Sequence, residues 1–114
     1  MRHHCHAHGC EAPVPPKMFM CAVHWRSLPK KLQDAIWREY RSGQERDKRP
    51  SLRYLAVQQR AVGALAFKPH DEAAAVAAAP YLLRAQKYRL LAIASGQGDP
   101  LDGIAAPVSP EAAS

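Results

Sequence analysis

Four residues that can ligate a metal lie in two pairs within the first 24 positions of this 114-residue chain. Cys5 and Cys10 are separated by four residues, Cys21 and His24 by two, and a ten-residue loop joins the pairs. Structural zinc sites usually take four such ligands from two closely spaced pairs. A tight turn helped by Gly9, or one face of a short helix, directs both side chains of a pair to one point. The spacing therefore predicts one structural zinc ion per chain, bound by Cys5, Cys10, Cys21 and His24.

Two alternatives to this ligand set stay open at the level of sequence. His6 or His8 could replace one of the cysteines, or the segment could hold no specific site and simply contain reduced cysteines. We expect His3 and His4 to lie in solvent or beside the ligands. Glu11 is the only carboxylate in this segment, and a catalytic zinc site usually has a general base nearby and an open coordination position. The composition therefore favours a structural ion.

The predicted zinc knuckle, residues 1–28, depends on its metal because little regular secondary structure is predicted to hold it in place. Residues 1–25 have no helical periodicity and contain three prolines, which indicates loops. Structural zinc contributes roughly 10–16 kcal/mol of apparent binding free energy in small peptides near neutral pH, comparable with the stability of a whole small domain. We therefore expect residues 1–25 to be disordered without metal.

Three helical segments are predicted after the knuckle. The first has Ser27 or Leu28 at its cap, Pro29 in its first turn and Gly43 at its end. The second runs from about Leu52 to Phe67. Its cap is Ser51. The core face of the first helix is predicted to contain Leu32, Ala35, Ile36 and Tyr40.

The third helical segment has Asp71 as its cap and consists of an alanine block that is broken by Pro80, followed by a leucine-rich stretch. Its apolar residues lie on several sides, which indicates two neighbours. One neighbour is the rest of the domain, and the other could be a target protein or a second copy of the chain in a homodimer. The predicted partner-binding residues are Leu82, Leu83, Leu90 and Leu91.

These segments predict a mainly α protein with one domain. The domain spans residues 1–94, with a zinc knuckle of little regular structure over 1–28 and about three helices over 29–94. Residues 95–114 are rich in Gly, Pro, Ser and Asp, and we expect them to form a flexible tail outside the core.

Positive charge is concentrated in the middle of the chain. The formal net charge is +6, and residues 26–60 carry 10 Lys and Arg against 4 Asp and Glu. Such a block is typical of a surface that faces phosphates or an acidic protein, and also of a solvated helix face. The residues that would contact nucleic acid are Lys30, Lys31, Arg38, Arg41, Arg46, Lys48, Arg49, Arg53 and Arg60.

Cysteine content and hydropathy bear on the compartment. The three cysteines cannot all pair, and their pattern is not that of a secreted disulfide framework. The longest apolar run, residues 73–83, contains a proline and is too short to cross a bilayer, and the N-terminal region lacks the apolar stretch of a signal peptide. We expect a cytoplasmic protein with no membrane partner.

Three motifs, "CHAHGCEAPVPPKMFMCAVHW", "LPKKLQDAIW" and "YRSGQ", carry a resemblance. Together with "SLRYLAVQQRAVGAL" they are similar to a family of small uncharacterised zinc-knuckle proteins of bacteriophages and prophages, over residues 5 to about 65. The resemblance implies a zinc knuckle that leads into helices, with the ligands at Cys5, Cys10, Cys21 and His24. It also implies residence in a bacterial host cell.

The sequence contains no nucleophile elbow, phosphate-binding glycine loop, dinucleotide fingerprint or paired carboxylates. We therefore do not expect an enzyme. The predicted function is that of a non-catalytic phage or prophage accessory factor that binds a host or phage protein, and inhibition of a host system would be one such role. The alternative is a nucleic-acid-binding protein that contacts phosphates through residues 26–60.

Overall fold

The computed structural model of the protein describes residues 3–15, 18–40 and 50–105. These ranges contain helices and an isolated antiparallel bridge between His4 and Pro13, with no extended strand. The predicted mainly α class is thus confirmed, and the predicted helix end at Gly43 lies outside the described residues. The helices are α1 (Ala22–Ser27), α2 (Lys30–Glu39), α3 (Leu52–Ala66) and α4 (Glu72–Ala94).

Helix starts follow local capping chemistry. The Ser51 hydroxyl accepts a hydrogen bond from the Tyr54 N–H at 3.0 Å, and an Asp71 carboxylate oxygen accepts one from the Ala74 N–H at 3.0 Å. Both caps are confirmed. A side-chain oxygen just before a helix stabilises it by accepting a hydrogen bond from a free N–H of the first turn. Helix α2 instead has Pro29 at its N-cap, one or two residues later than predicted.

Helices α3 and α4 form an antiparallel hairpin with a seam of small residues. Three alanines of α4 lie seven positions apart and are buried, which places them on one side of the helix. Gly63 of α3 faces Leu82 of α4 so closely that a β-carbon on Gly63 would lie 2.5 Å from Leu82 Cδ2. Close approach of the two backbones therefore depends on the absence of larger side chains along the seam. The seam alanines of α4 are Ala78, Ala85 and Ala92.

Pro80 does not break α4, contrary to the prediction. The helix continues through Pro80 from Glu72 to Ala94. A proline inside a helix removes one hydrogen bond, here the bond to the carbonyl of Val76. Val76 is exposed, so water can satisfy that carbonyl. Packing of the flanking turns on α3 then holds the helix together.

No helix in the described ranges is long and apolar enough to cross a membrane.

Residues 95–105 pack on the helices, although the sequence predicts a tail from residue 95. Pro100 is fully buried, and Leu101 and Ile104 pack against the core. Two arginines outside this segment donate to its carbonyls: Arg38 Nη2 to Pro100 at 2.8 Å and Arg53 Nη1 to Gln97 at 2.6 Å. The predicted boundary is therefore too early for this part of the tail. Residues 106–114 lie outside the described residues.

Glu39 connects α2 to α3 through an ion pair. Its carboxylate accepts hydrogen bonds from Arg53 Nε and Nη2, both at 2.9 Å, and from Arg38 Nε at 2.7 Å. The hydrogen bonds from Arg53 are the main cause that lowers the pKa of Glu39 below its ordinary value of 4.5. The pair therefore stabilises the fold most when the carboxylate is ionised.

Replacing Glu39 by Gln is expected to cost about 1–2 kcal/mol of unfolding free energy at pH 7. The folded-state pKa is lowered, so the wild-type advantage is fully present above the ordinary carboxyl pKa and is lost as the pH falls through the folded value. Urea titrations of both proteins at pH 7 and at about pH 3 measure this difference. The exposed Glu11→Gln is the control, and an E39Q deficit that stays constant with pH would contradict this role.

Candidate metal centre

The structure brings all four predicted ligands together. Their ligand atoms, one from each of Cys5, Cys10, Cys21 and His24, all lie within 4.8 Å of one another. His24 Nδ1 is 3.5 Å from the Cys5 sulfur and 3.3 Å from the Cys21 sulfur. The three cysteines form no disulfide. This group of three sulfurs and one nitrogen could hold a metal ion.

The sulfur-to-nitrogen distances fit a tetrahedral ion of ordinary size. With Zn–S bonds of about 2.3 Å and Zn–N bonds of about 2.0–2.1 Å, the S–N edge of a tetrahedron is about 3.5 Å. Cys5 and Cys21 each lie close to that distance from His24 Nδ1. No large rearrangement of these groups is therefore needed to close a coordination shell.

The first cysteine pair lies on a turn that is fixed by backbone hydrogen bonds. The Cys5 N–H donates to the Ala12 carbonyl at 2.9 Å, and the Cys10 N–H donates to the Ala7 carbonyl at 3.0 Å. Gly9 has a φ of 78°, a left-handed conformation that a residue without a β-carbon adopts at little cost. The tight turn at Gly9 that the sequence predicts thus lets Cys10 approach Cys5.

The second pair lies at the start of helix α1. Cys21 is the N-cap residue, and His24 follows three positions later on the same side of the first turn. Of the two local geometries open to this pair, a turn or a short helix, the structure has the helix. Met20 and Phe19, immediately before the pair, are buried in the core and anchor this end of the knuckle.

The thiols of the site differ in their electrostatic surroundings. The backbone N–H of His24 faces the Cys21 sulfur and is the main cause that lowers the pKa of Cys21 to about 7. Burial raises the pKa of the Cys5 thiol. A buried thiolate needs a nearby positive charge, and a bound cation supplies it for all three sulfurs. The site is thus suited to a cation that its own residues do not provide.

The other histidines of the knuckle lie outside this ligand group. His8 Nδ1 is 2.8 Å from the Tyr81 hydroxyl of α4, and the His6 ring stacks on Phe19 with 5.1 Å between centroids. His6 Nε2 is also 3.2 Å from His3 Nε2. The alternative in which His6 or His8 replaces a cysteine is therefore not the arrangement of this structure. Sequence reasoning missed the contact between His8 and Tyr81, since nothing local signals a contact 73 residues apart.

The knuckle forms part of the main core. Cys5 and Ala7 are buried together with Phe19 and Met20 in one cluster with α2 and α3. A row of aromatic rings with edge-to-face contacts borders this cluster, with centroids 5.9–6.4 Å apart. Displacing the knuckle would therefore expose the apolar sides of both helices. The row consists of Trp25, Trp37, Tyr40 and Tyr54.

The basic residues predicted to contact nucleic acid do not form one free surface in the part of the chain that the structure describes. Arg53 is paired with Glu39, and the Nη2 of buried Arg60 donates to the Ala105 carbonyl. Lys30 pairs with exposed Asp34. Arg53 and Arg60 are therefore engaged within the fold and are not available as a pair of phosphate contacts. Lys31 donates to the Gly103 carbonyl and Arg38 to that of Pro100, while Arg41, Arg46, Lys48 and Arg49 lie outside the described residues.

The predicted partner-binding leucines have two different environments. Leu83, Leu90 and Leu91 are exposed on α4. Leu82 is partly buried and packs over Gly63, so its side chain is used within the α3–α4 seam.

No family model, curated protein or solved structure matches this chain, and the resemblance to phage and prophage proteins stays a prediction.

Proposed function

We propose that the protein is a non-catalytic binding protein whose N-terminal knuckle is held by one structural zinc ion and whose helix α4 contacts a partner protein. The observation that carries the proposal is the convergence of three thiols and His24 Nδ1 within 4.8 Å. Zinc is the preferred ion because soft thiolates and imidazole in a tetrahedral arrangement suit it.

The ligand set favours a structural ion over a catalytic one. Catalytic zinc sites usually have three protein ligands and leave a fourth position for water or substrate. Here Cys5, Cys10, Cys21 and His24 offer four ligand atoms, enough to fill four positions. The ion would join the loop of the first pair to helix α1, and it would thereby hold Phe19 and Met20 in the core.

The outer face of α4, defined as Val76, Leu83 and Leu90, is the proposed contact surface for the partner. Their exposed fractions are 73, 71 and 53 %. Their spacing of seven aligns them along one side of the helix, opposite the alanines that pack on α3. Exposed apolar residues in such an alignment are typical of helix surfaces that bind other proteins.

A protein partner fits this surface better than nucleic acid does. Nucleic acid is bound mainly through Lys and Arg contacts to phosphates. The three residues that define the outer face of α4 are apolar and share that side of the helix with Lys87, whereas Arg53 and Arg60 are engaged within the fold. The resemblance to phage and prophage proteins supports a host protein in the bacterial cytoplasm as the partner, and inhibition of a host system would suit a small non-catalytic protein.

The double substitution Leu83→Asp and Leu90→Asp is expected to reduce partner binding at least tenfold without lowering the melting temperature by more than a few degrees. Both side chains are exposed, so the change removes apolar contact area while leaving the core intact. The measurement is quantitative capture from nuclease-treated bacterial lysate with the zinc-loaded wild-type protein and the variant.

Ala73→Asp is the matched control for this experiment. Ala73 is exposed at the start of α4, about 15 Å along the helix from Leu83. An added carboxylate is tolerated there because it lies near the positive end of the helix dipole. Equal capture by the wild type and the double variant would refute the assigned surface. Capture that nuclease treatment abolishes would support the nucleic-acid alternative instead.

A further inference from the structure

A second candidate binding site lies away from both the metal ligands and the outer face of α4. It is a cavity of about 330 Å³ between the start of α2, the C-terminal half of α3 and residues 104–105. None of its lining residues comes from α4 or from the metal ligands. Its polar and charged side chains are Lys30, Lys31 and Arg60, and its apolar walls include Leu32, Ala64 and Ile104.

Arg60 is the unusual residue of this cavity. It is only 9 % exposed, and one guanidinium nitrogen, Nη2, donates to the Ala105 carbonyl. Its Nε is buried and has no hydrogen-bond partner among the described residues. No carboxylate of those residues forms an ion pair with Arg60, and burial lowers the pKa of its guanidinium. A buried charge without a counter-charge, and a buried donor without an acceptor, each carry a free-energy cost.

The surroundings of Arg60 favour an anion over any other occupant. Lys30 and Lys31 lie at the rim, where Lys31 adds positive charge, and no acidic residue among the described residues lines the cavity. The nearby carboxylate of Asp34 is exposed and already pairs with Lys30. A guanidinium donates to planar carboxylates and to phosphates in well-defined geometry, so an anion in the cavity beside Arg60 would supply the counter-charge that this guanidinium lacks.

The walls and the volume restrict the kind of anion. Leu32, Ala64 and Ile104 offer apolar surface, which stabilises an apolar body but not a fully hydrated ion. A volume of about 330 Å³ lies at the lower end of the range of small-molecule sites. An inorganic ion would leave most of this space unfilled, and a folded protein domain would not enter it.

We propose that this cavity binds a compact organic carboxylate, with the carboxylate at Arg60 and the apolar body against Leu32, Ala64 and Ile104. The site does not depend on the partner-binding role proposed for α4, because the two surfaces share no residue. Through this cavity the protein would recognise a small amphipathic anion.

Benzoate and hexanoate are the probes for this site, titrated into the zinc-loaded full-length protein. Methyl signals of Leu32, Ala64 and Ile104 are expected to shift saturably in NMR spectra, with a dissociation constant on the order of 1 mM or lower. Arg60→Met keeps the apolar stem, removes the charge and is expected to weaken binding at least tenfold. The exposed Arg26→Met is the matched control and should bind as the wild type does.

A second variant keeps the test informative if Arg60→Met does not fold. Ala64→Leu adds volume inside the cavity and should prevent benzoate binding while Arg60 stays in place. Four results would overturn the proposal: no saturable shift, equal affinity for benzyl alcohol and benzoate, equal effects of inorganic phosphate and benzoate, or undiminished binding by both variants. Cross-peaks between residues 106–114 and Leu32 in the ligand-free protein would overturn it too, since the chain itself would then occupy the cavity.

Discussion

Cys21→Ser is expected to remove the metal and to unfold the knuckle. A serine hydroxyl is a poor zinc ligand, and three remaining ligands bind structural zinc much more weakly than four. Because structural zinc contributes roughly 10 kcal/mol or more, and small domains have roughly 5–15 kcal/mol of stability in total, the loss should leave residues 3–28 unfolded. The measurement combines elemental analysis with NMR of the amide signals of that segment.

Two histidine variants provide a matched comparison for this prediction. His24→Ala should lose the metal as Cys21→Ser does, because His24 Nδ1 lies within 3.5 Å of two of the sulfurs. His8→Ala should retain the metal, since His8 contacts Tyr81 and not the sulfurs. Full metal occupancy in Cys21→Ser, or metal loss in His8→Ala with retention in His24→Ala, would show that the ligand set is wrong.

Gly63→Val is expected to destabilise the α3–α4 hairpin by about 3 kcal/mol. A β-carbon at position 63 would lie 2.5 Å from Leu82 Cδ2 and 2.8 Å from Leu82 Cγ. Because both Cγ and Cδ2 lie too close, the whole Leu82 side chain must adopt another χ1 rotamer or the helices must separate along their seam, and either change disturbs the packing between α3 and α4. Gly63→Ala should cost less, because the gain in helix propensity of about 1 kcal/mol offsets part of the clash. Urea denaturation of the zinc-loaded proteins measures both values.

A double-mutant cycle with Leu82→Ala isolates the clash. Leu82→Ala removes the two atoms nearest to the added β-carbon, so Gly63→Ala should become neutral or stabilising by up to about 1 kcal/mol in that background. The backbone nitrogen of Leu82, at 3.4 Å, is then the nearest remaining atom and leaves room for a methyl group. If Gly63→Val costs the same in both backgrounds, then close packing against Leu82 is not the reason for a glycine here.

Features that depend on neighbours in sequence could be predicted well. The candidate metal ligands come from two pairs within 20 residues, so their spacing alone indicates a common site, and the structure brings their ligand atoms together. Ser51 and Asp71 cap helices through hydrogen bonds to N–H groups three residues away. In each case the interacting groups are held together by the local chain geometry, and the side-chain types identify the interaction.

Features that depend on distant packing could not be predicted in the same way. Arg60 is predicted to lie on a basic surface, but α3 is covered on more than one side and Arg60 is buried. The polar composition after Ser95 suggests a tail, yet Pro100 is buried. Arg38 of α2 donates to the Pro100 carbonyl, and Arg53 of α3 donates to the Gln97 carbonyl. Pro80 predicts a break in the third helical segment, although packing along α3 keeps α4 continuous. Each outcome is decided by tertiary contacts that override a local preference.

X-ray absorption spectroscopy at the zinc edge of the purified protein identifies the atoms bound to the metal. We expect one zinc ion per chain with three sulfur neighbours at about 2.3 Å and one nitrogen neighbour at about 2.0–2.1 Å. A result of two sulfur and two nitrogen neighbours would mean that a second histidine takes the place of one cysteine. It would contradict the assignment of Cys5, Cys10, Cys21 and His24. Protein that folds and melts cooperatively without any bound metal would contradict the structural role of the site altogether.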